Sequence, residues 1–510
     1  MVDYDTIVIG SGFGAACAAY ELAAPGQRVL MLERGTRVAR GPQAWLPQSS
    51  GDLTSHFWPD LAQRPDGSLV GGYSCVGGPS VFFGGVAMRM RAADFAPPAE
   101  IVGGSGAEWP LRYEDLEPSY ARAEQLLDVA GGTGDPTDPP RSSAYPQDAV
   151  DLGPVACRIA RAGRRLGLRP FALPLAINHG GDGTRSSCVR CGTCDTFACA
   201  IGAKNEVASR LLGPLVRRGV ELRDATQVTR LVLDGRAVVA VRTRSLSTGE
   251  ERTVTADRFV LAAGALGSAH LALASGLDAL SPAPAAVGAY LTRHCSTIVY
   301  GIFARPHEPS FQKQLGFHDL YHGAADAPVS GPLGALQQMQ TPSVALARHY
   351  ATALQRPLLG VGVPRLTGLL AMAEDQPRAE NRVRLGDDRD ARGMPRLVVE
   401  HRHSRRDLTA RGHLVRVARR ILRRAGAIGF YVHPIDTFSH AAGTLRMGCD
   451  PQTSVVDGDG RFRGIDNLYV ADASVLPTSA AVNPSLTIAA NAVRIGSALA
   501  GRQRAIVAAA

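Results

Sequence analysis

His440 stands in the stretch SHAAGTLRMG, with Ala441, Ala442 and Gly443 crowded behind it. An imidazole working near its own pKa can take the proton of an alcohol, and residues this small let backbone come close to a flat ring. The plainer reading of a histidine in a long chain is a core residue with its hydrogen bonds satisfied. Asn483 lies in AVNPSLTIAANAV. Pro484 suits the first position of a helix and Asn483 the cap before it, while the same amide can donate to a substrate oxygen without competing for a proton. Cys188, Cys191, Cys194 and Cys199, in SSCVRCGTCDTFACAIGAK, make a third constellation. Their spacing is similar to the start of a ferredoxin-type cluster motif, but the last gap is longer and no proline follows. Zinc, structural thiols and a disulfide are the alternatives.

The elements that must position these groups begin at the N-terminus. In YDTIVIGSGFGAACAAYELAAPGQRVLMLERG an apolar strand ends in Gly10 and Gly12, and a helix opens at Gly14 and Ala15. Gly10 permits the tight turn, Gly12 lets backbone approach a pyrophosphate, and Ala15 lets the helix lie close on the strand. The free N–H groups of the helix start would face the phosphates. A second strand leads to Glu33, whose carboxylate is placed for a ribose hydroxyl, which argues for FAD or NAD over NADP. A second glycine cluster favours FAD. VGGYSCVGGPSVFFGGVAMRMRAADF (residues 70–95) reads as a loop with Gly77, Gly78, Gly84 and Gly85, where a NAD domain would still alternate strands and helices.

The 510 residues suggest two or three domains. Hydrophobic content of 45% and charged content of 20% fit a well-cored globular chain. No apolar run reaches the roughly 18 residues a membrane span needs, and no signal peptide precedes the first strand, so the expectation is a cytoplasmic protein without a membrane span. The net charge of +9 comes almost wholly from arginine, because Lys204 and Lys313 are the only lysines. The densest run, RGHLVRVARRILRRAGA (residues 411–427), sets Leu414, Val417, Ile421 and Leu422 on one helical face. Its arginines then form a solvated face, and no interleaved aromatic offers to stack bases, so nucleic acid is not an expected partner. AVVAVRTRSLSTGEERTVTA reads as a hairpin, and GGTGDPTDPPRSSAYP as a loop.

Several separated motifs agree in order: the glycine turn, GGPSVFFGG, WPLRYEDLEPSY (109–120), VGAYLTRH (287–294), ADRFVLAAGALGSAHLALASGL (256–277), FSHAAGTLRMG (438–448) and the terminal GIDNLYVADASVLPTSAAVNPSLTIAANAVRIGSALA. Together the chain resembles the glucose–methanol–choline (GMC) oxidoreductases over essentially its whole length. The resemblance implies an α/β fold, with a Rossmann-like FAD-binding domain and a second, α+β substrate-binding domain. The FAD domain would be discontinuous, at 1–100, 204–290 and 430–510, with 101–203 and 291–429 forming the substrate domain. Gly78, Ser80, Phe82 and Gly85 would lie near the flavin, and Val228 near the adenine. Ala263 and Gly264 end the strand before the next helix, and Asp472 and Ala473 would face the diphosphate and ribityl chain. Relatives that attach FAD covalently carry His where this chain has Phe82, so non-covalent FAD is expected.

By the same resemblance His440 is the base, Asn483 orients the substrate hydroxyl, and hydride passes to flavin N5. The helix after Pro484 would aim its positive end at the flavin. FALPLAINHGGDGTRSSC, before the cysteines, is similar to a stretch in bacterial oxidases of aminocyclitol sugars, and pyranose oxidases are also near. A sugar, glycoside or polyol hydroxyl is the expected donor, and oxygen or another acceptor takes the electrons. Two alternatives stay open: a lyase of the same fold, and an electron-transfer dehydrogenase using an iron–sulfur cluster at the four cysteines.

Overall fold

The computed structural model describes residues 2–45, 56–180, 183, 185–308, 311–344, 347–348, 351–354 and 356–501. Strand Tyr4–Ile9 lies at the centre of a seven-stranded sheet, parallel to Val29–Leu32 on one side and to Glu251–Leu261 on the other. Its apolar run TIVI is continuous rather than alternating because both faces of this parallel region are covered. Glu221–Arg223 and Leu468–Val470 add further parallel strands, and Thr226–Asp234 and Ala237–Ser245 extend the sheet antiparallel. The hairpin expected from AVVAVRTRSLSTGEERTVTA is the pair Ala237–Ser245 and Glu251–Leu261.

Helix Phe13–Leu22 follows the first strand and packs along Ser485–Leu499. The contact is close because both faces are small. Ala15, Ala16, Ala18 and Ala19 are fully buried, and a Cβ on Gly496 would stand 2.7 Å from the Ala18 carbonyl oxygen. Helix Tyr113–Leu127 pins the same C-terminal helix: Tyr120 Oη and Thr487 Oγ1 are 2.7 Å apart.

A six-stranded antiparallel sheet forms the second layer, in the order Gly429–Pro434, Cys295–Ile302, Leu366–Ala373, Ala335–Met339, Leu315–Phe317 and Phe171–Ala172. Helix Arg405–Arg424 covers it with Leu414, Val417, Ile421 and Leu422, all buried. Arg416, Arg419, Arg420, Arg423 and Arg424 are exposed, which makes the basic run the solvated face of an amphipathic helix. A smaller sheet joins Phe57–Gln63 and Leu69–Tyr73 to Arg382–Arg389 and Pro395–Glu400. Among the described residues no helix is long and apolar enough to cross a membrane.

Candidate active site

The glycine turn is tight for a reason visible in its neighbours. Gly10 has φ +109°, and a Cβ there would stand 2.3 Å from the Ala262 carbonyl oxygen. A Cβ on Gly14 would meet the Ala471 oxygen at 1.9 Å. Gly12 differs: nothing of the protein lies within 4 Å of where its Cβ would be, and it caps Phe13–Leu22 without a side-chain partner for the helix N–H groups. Gly264 likewise faces open space at the start of Gly264–Ala274. Glu33 is buried at the end of the second strand, accepting from Ser11 Oγ at 2.6 Å and Gly35 N at 2.8 Å. Burial raises its pKa, and each oxygen keeps a lone pair for a further donor. These residues fit a dinucleotide: open room before two helix starts, with a buried acid beside them.

The second glycine cluster wraps toward this cradle. Gly78, φ +58°, would carry its Cβ only 3.3 Å from Gly12 Cα. Ser80 Oγ donates to Gly77 O and accepts from Val207 N, which ties the loop to Val207–Arg210. Phe82 is buried and stacked on Tyr73 at 4.1 Å, and Gly85, φ +84°, lies against Ile177. Val228 is buried in Thr226–Asp234, and Ala263 N donates to Ser268 Oγ. Ala473 is buried and opens the short turn Ala473–Val475. Asp472 is spent on the protein. Its Oδ1 accepts from Ser474 N and its Oδ2 from Gly264 N, each at 2.8 Å. It therefore joins two loops of the cradle.

His440 is brought to its place by backbone pairing. Thr292 and Ala442 exchange both hydrogen bonds, so segments 292–294 and 440–442 run side by side. Gly443 sits under Tyr290, φ +88°, where a Cβ would be 2.5 Å from the Tyr290 oxygen. The result is a pair of imidazoles: His440 Nδ1 lies 2.9 Å from His294 Nδ1. His294 Nε2 donates to the Ser479 carbonyl oxygen at 3.1 Å. Burial, then the neighbouring His294 and Lys313 charges, push the His440 pKa well below its ordinary value.

The loop that holds Ser479 also carries Asn483, so the two expected residues are linked through one imidazole and four residues of chain. The capping role expected for Asn483 is corrected by the structure. Helix Ser485–Leu499 begins after Pro484, and no side chain caps it. The Asn483 oxygen instead accepts from Gln337 Nε2 at 2.8 Å, because Gln337 on Ala335–Met339 is buried against the loop. That leaves Nδ2 as the end able to donate outward. Trp109 Nε1 donates to Thr478 Oγ1 at 2.9 Å, which gives the WPLRYEDLEPSY motif its task of holding this loop. Ser485 Oγ donates to Val86 O, setting the helix start against the second glycine cluster.

Several residues that complete the site belong to no motif of the sequence. Asp375, fully buried, accepts from His294 N and Ser479 Oγ at Oδ1, both 3.0 Å. Its Oδ2 accepts from Arg293 N at 2.9 Å and His401 Nε2 at 3.2 Å. Burial opposes its charge, but the His401 hydrogen bond and the fields of His401, His294 and His403 hold the carboxyl well below the usual range. Glu374 accepts from Ala480 N at 2.8 Å, and burial raises its pKa well above normal. The signal was an acidic pair closing the buried strand LTGLLAMA. Asp375, His401 and His403 bring three possible metal ligands within 4.8 Å, but His401 already gives Nε2 to Asp375 and takes Arg293 Nε at Nδ1. His401 is thus committed to a hydrogen-bond network, while His403 Nδ1 is buried without a hydrogen-bond partner.

The four cysteines are half-buried free thiols on an irregular loop, and no disulfide forms. Buried Lys204 organises that loop, donating to the carbonyls of Phe83, Cys194 and Phe197 at 2.8–2.9 Å. Gly181, Asp182 and Thr184, within the stretch likened to aminocyclitol oxidases, lie outside the described residues.

The dinucleotide cradle beside a two-sheet body with the His294–His440 pair defines the class, and the chain belongs to the GMC oxidoreductase family. Its N-terminal model matches residues 64–296 and its C-terminal model residues 377–492, each described as GMC oxidoreductase. Enzymes of this family bind FAD and oxidise CH–OH donors. Among its relatives, the paromamine 6'-oxidase of Streptomyces fradiae is 33% identical, over 98% of this chain and 91% of that protein. The 6'''-hydroxyparomomycin C oxidase of Streptomyces lividus is also 33% identical, with the same two shares. The fold is shared with the solved pyridoxine 4-oxidase from Mesorbium loti, at TM-score 0.68 and 19% identity, covering 97% of this chain and 99% of that one.

Proposed function

We propose that this protein oxidises a hydroxyl of a sugar, glycoside or polyol to a carbonyl. The observation that carries the reading is the His440–His294 pair, joined through Ser479 to the loop presenting the Asn483 amide. His440 takes the hydroxyl proton. Its depressed pKa keeps it neutral, and therefore able to accept, at neutral pH. Asn483 Nδ2 donates to the substrate oxygen, oriented by Gln337 at its other end. Gly10, Gly12, Gly14, Ala15, Glu33, Gly78, Ser80, Gly85, Val228, Ala263 and Gly264 would hold FAD. The turn at Asp472 and Ala473 and the helix start after Pro484 would flank it. Bound FAD would supply the two-electron acceptor for the hydrogen leaving carbon. Phe82 offers no nucleophile for attachment, so the cofactor is held without a covalent bond. The two Streptomyces relatives named as oxidases of paromamine and 6'''-hydroxyparomomycin C support a sugar-like donor and oxygen as acceptor.

The test is an anaerobic screen of sugars, aminoglycosides and simple alcohols for loss of flavin absorbance, followed by admission of air. Bleaching by a polyhydroxylated donor, with recovery in air, is expected. Bleaching only by sterols or long-chain alcohols would overturn the donor class. No bleaching by any alcohol, with lyase activity instead, would overturn the oxidation.

A further inference from the structure

The Ser479 carbonyl decides where both imidazoles carry their protons. A carbonyl oxygen only accepts, so His294 Nε2, 3.1 Å away, is an N–H. In a neutral ring that makes His294 Nδ1 the lone-pair atom, and it lies 2.9 Å from His440 Nδ1. His440 Nδ1 is then the donor between them, and its own lone pair falls on Nε2. We propose that His294 is a positioning residue that holds His440 in the Nδ1–H tautomer, so that Nε2 alone can accept a proton. The inference rests on the reading of His440 as the base.

One carboxylate keeps this arrangement in register. Asp375 Oδ1 accepts from the His294 amide and from the Ser479 hydroxyl, so it ties the donor ring to the residue whose carbonyl the ring addresses. Both backbones are bent to fit. His294 has φ +63° and Ala480 φ +53°, left-handed conformations that non-glycine residues hold only when surrounding bonds demand it. When the substrate O–H bond breaks, its proton goes to His440 Nε2 and the electron pair stays on the substrate oxygen. His440 becomes an imidazolium still donating from Nδ1 to the His294 lone pair, and that bond strengthens because its donor is now charged. His294 keeps its single proton throughout. The charged groups facing the pair are Lys313 toward His440, with Asp375, His401 and His403 behind His294.

The experiment compares His294→Gln with His294→Leu and reads the tautomer directly. Glutamine offers Oε1 to His440 Nδ1 and an N–H to Ser479 but carries no titratable proton. Leucine keeps bulk alone. His294→Gln is expected to keep kcat within about tenfold of the parent, with the acid limb moved to higher pH because one acidifying neighbour is gone, while His294→Leu loses about 100-fold in kcat with little change in KM. Equal loss in both variants would overturn the proposal. In the holoenzyme labelled with 15N-histidine, the resonances lost in His440→Gln identify His440, and they are expected to show an unprotonated Nε2 and a protonated Nδ1. The opposite tautomer would overturn the proposal whether or not either variant folds. Full activity of His440→Gln would instead remove the base assignment and leave the tautomer measurement standing.

Discussion

Gly12 and Gly14 are two residues apart, and alanine at each is expected to fail differently. At Gly14 the new methyl would lie 1.9 Å from the Ala471 oxygen, so the helix must retreat by roughly 1.5 Å to reach an ordinary contact of about 3.5 Å. It has nowhere to go, because Ala15, Ala16, Ala18 and Ala19 are already buried against their neighbours. Overpacking of this kind costs about 1–3 kcal/mol or more, and it falls on the apoprotein. At Gly12 the backbone, φ −73° and ψ −167°, already suits alanine, and no protein atom lies within 4 Å of the methyl. Gly12→Ala should therefore leave apoprotein melting within about 1 °C of the parent. If a pyrophosphate lies against Gly12, the same 1–3 kcal/mol appears in FAD affinity as about a 5- to 150-fold rise in Kd. Thermal unfolding of flavin-stripped protein and FAD titration by fluorescence separate the two effects. Unchanged FAD affinity in Gly12→Ala, or a clear drop in its apoprotein melting temperature, would refute the cradle as drawn.

Removing the base in His440→Asn should lower kcat by about 10²- to 10⁴-fold while FAD stays bound, measured by turnover and flavin content. Because the His440 pKa is pushed down, its neutral form dominates at pH 7, and kcat/KM should fall only on the acid side of about 6.5; Lys313→Met removes one acidifying charge and should move that limb to higher pH. Burial holds His179 and His403 at about 4, so the unfolded chain takes up those protons first, and urea midpoints should fall as pH drops from 6.5 toward 4. Lys204→Met strips three carbonyls of one buried donor and should loosen the cysteine loop and the second glycine cluster together, read as faster proteolysis near Cys194 and weaker FAD binding. Among the described residues the four cysteines do not converge as a ligand group, so metal analysis of anaerobically purified protein should find less than one iron or zinc per chain, and a full iron–sulfur complement would overturn the thiol reading.

What could be read from the sequence followed from short-range rules. The glycine turn, its strand and its helix depend on residues 4–33 alone, and the arginine-rich helix declares its buried face by periodicity. The hairpin at 237–261 is equally local. What escaped was set by contacts far apart in the chain. His294 and His440 are 146 residues apart and meet only because Thr292 pairs with Ala442. Asp375 becomes part of the site only when Leu366–Ala373 takes its place beside Cys295–Ile302. Asn483 was misread as a cap for the same reason: local preference favours the cap, but Gln337, 146 residues away, takes its oxygen first. Asp472 and Gly264 are 208 residues apart, so the hydrogen bond that joins their two loops could not be read from either segment alone.

The most direct measurement of the central claim is stopped-flow reduction of the bound flavin under anaerobic conditions, with an aminoglycoside or sugar found in the screen, for parent and His440→Ala. The account predicts single-exponential bleaching in the parent, slowed by at least about 100-fold in the variant at equal flavin content. Equal bleaching rates in the two proteins would contradict it.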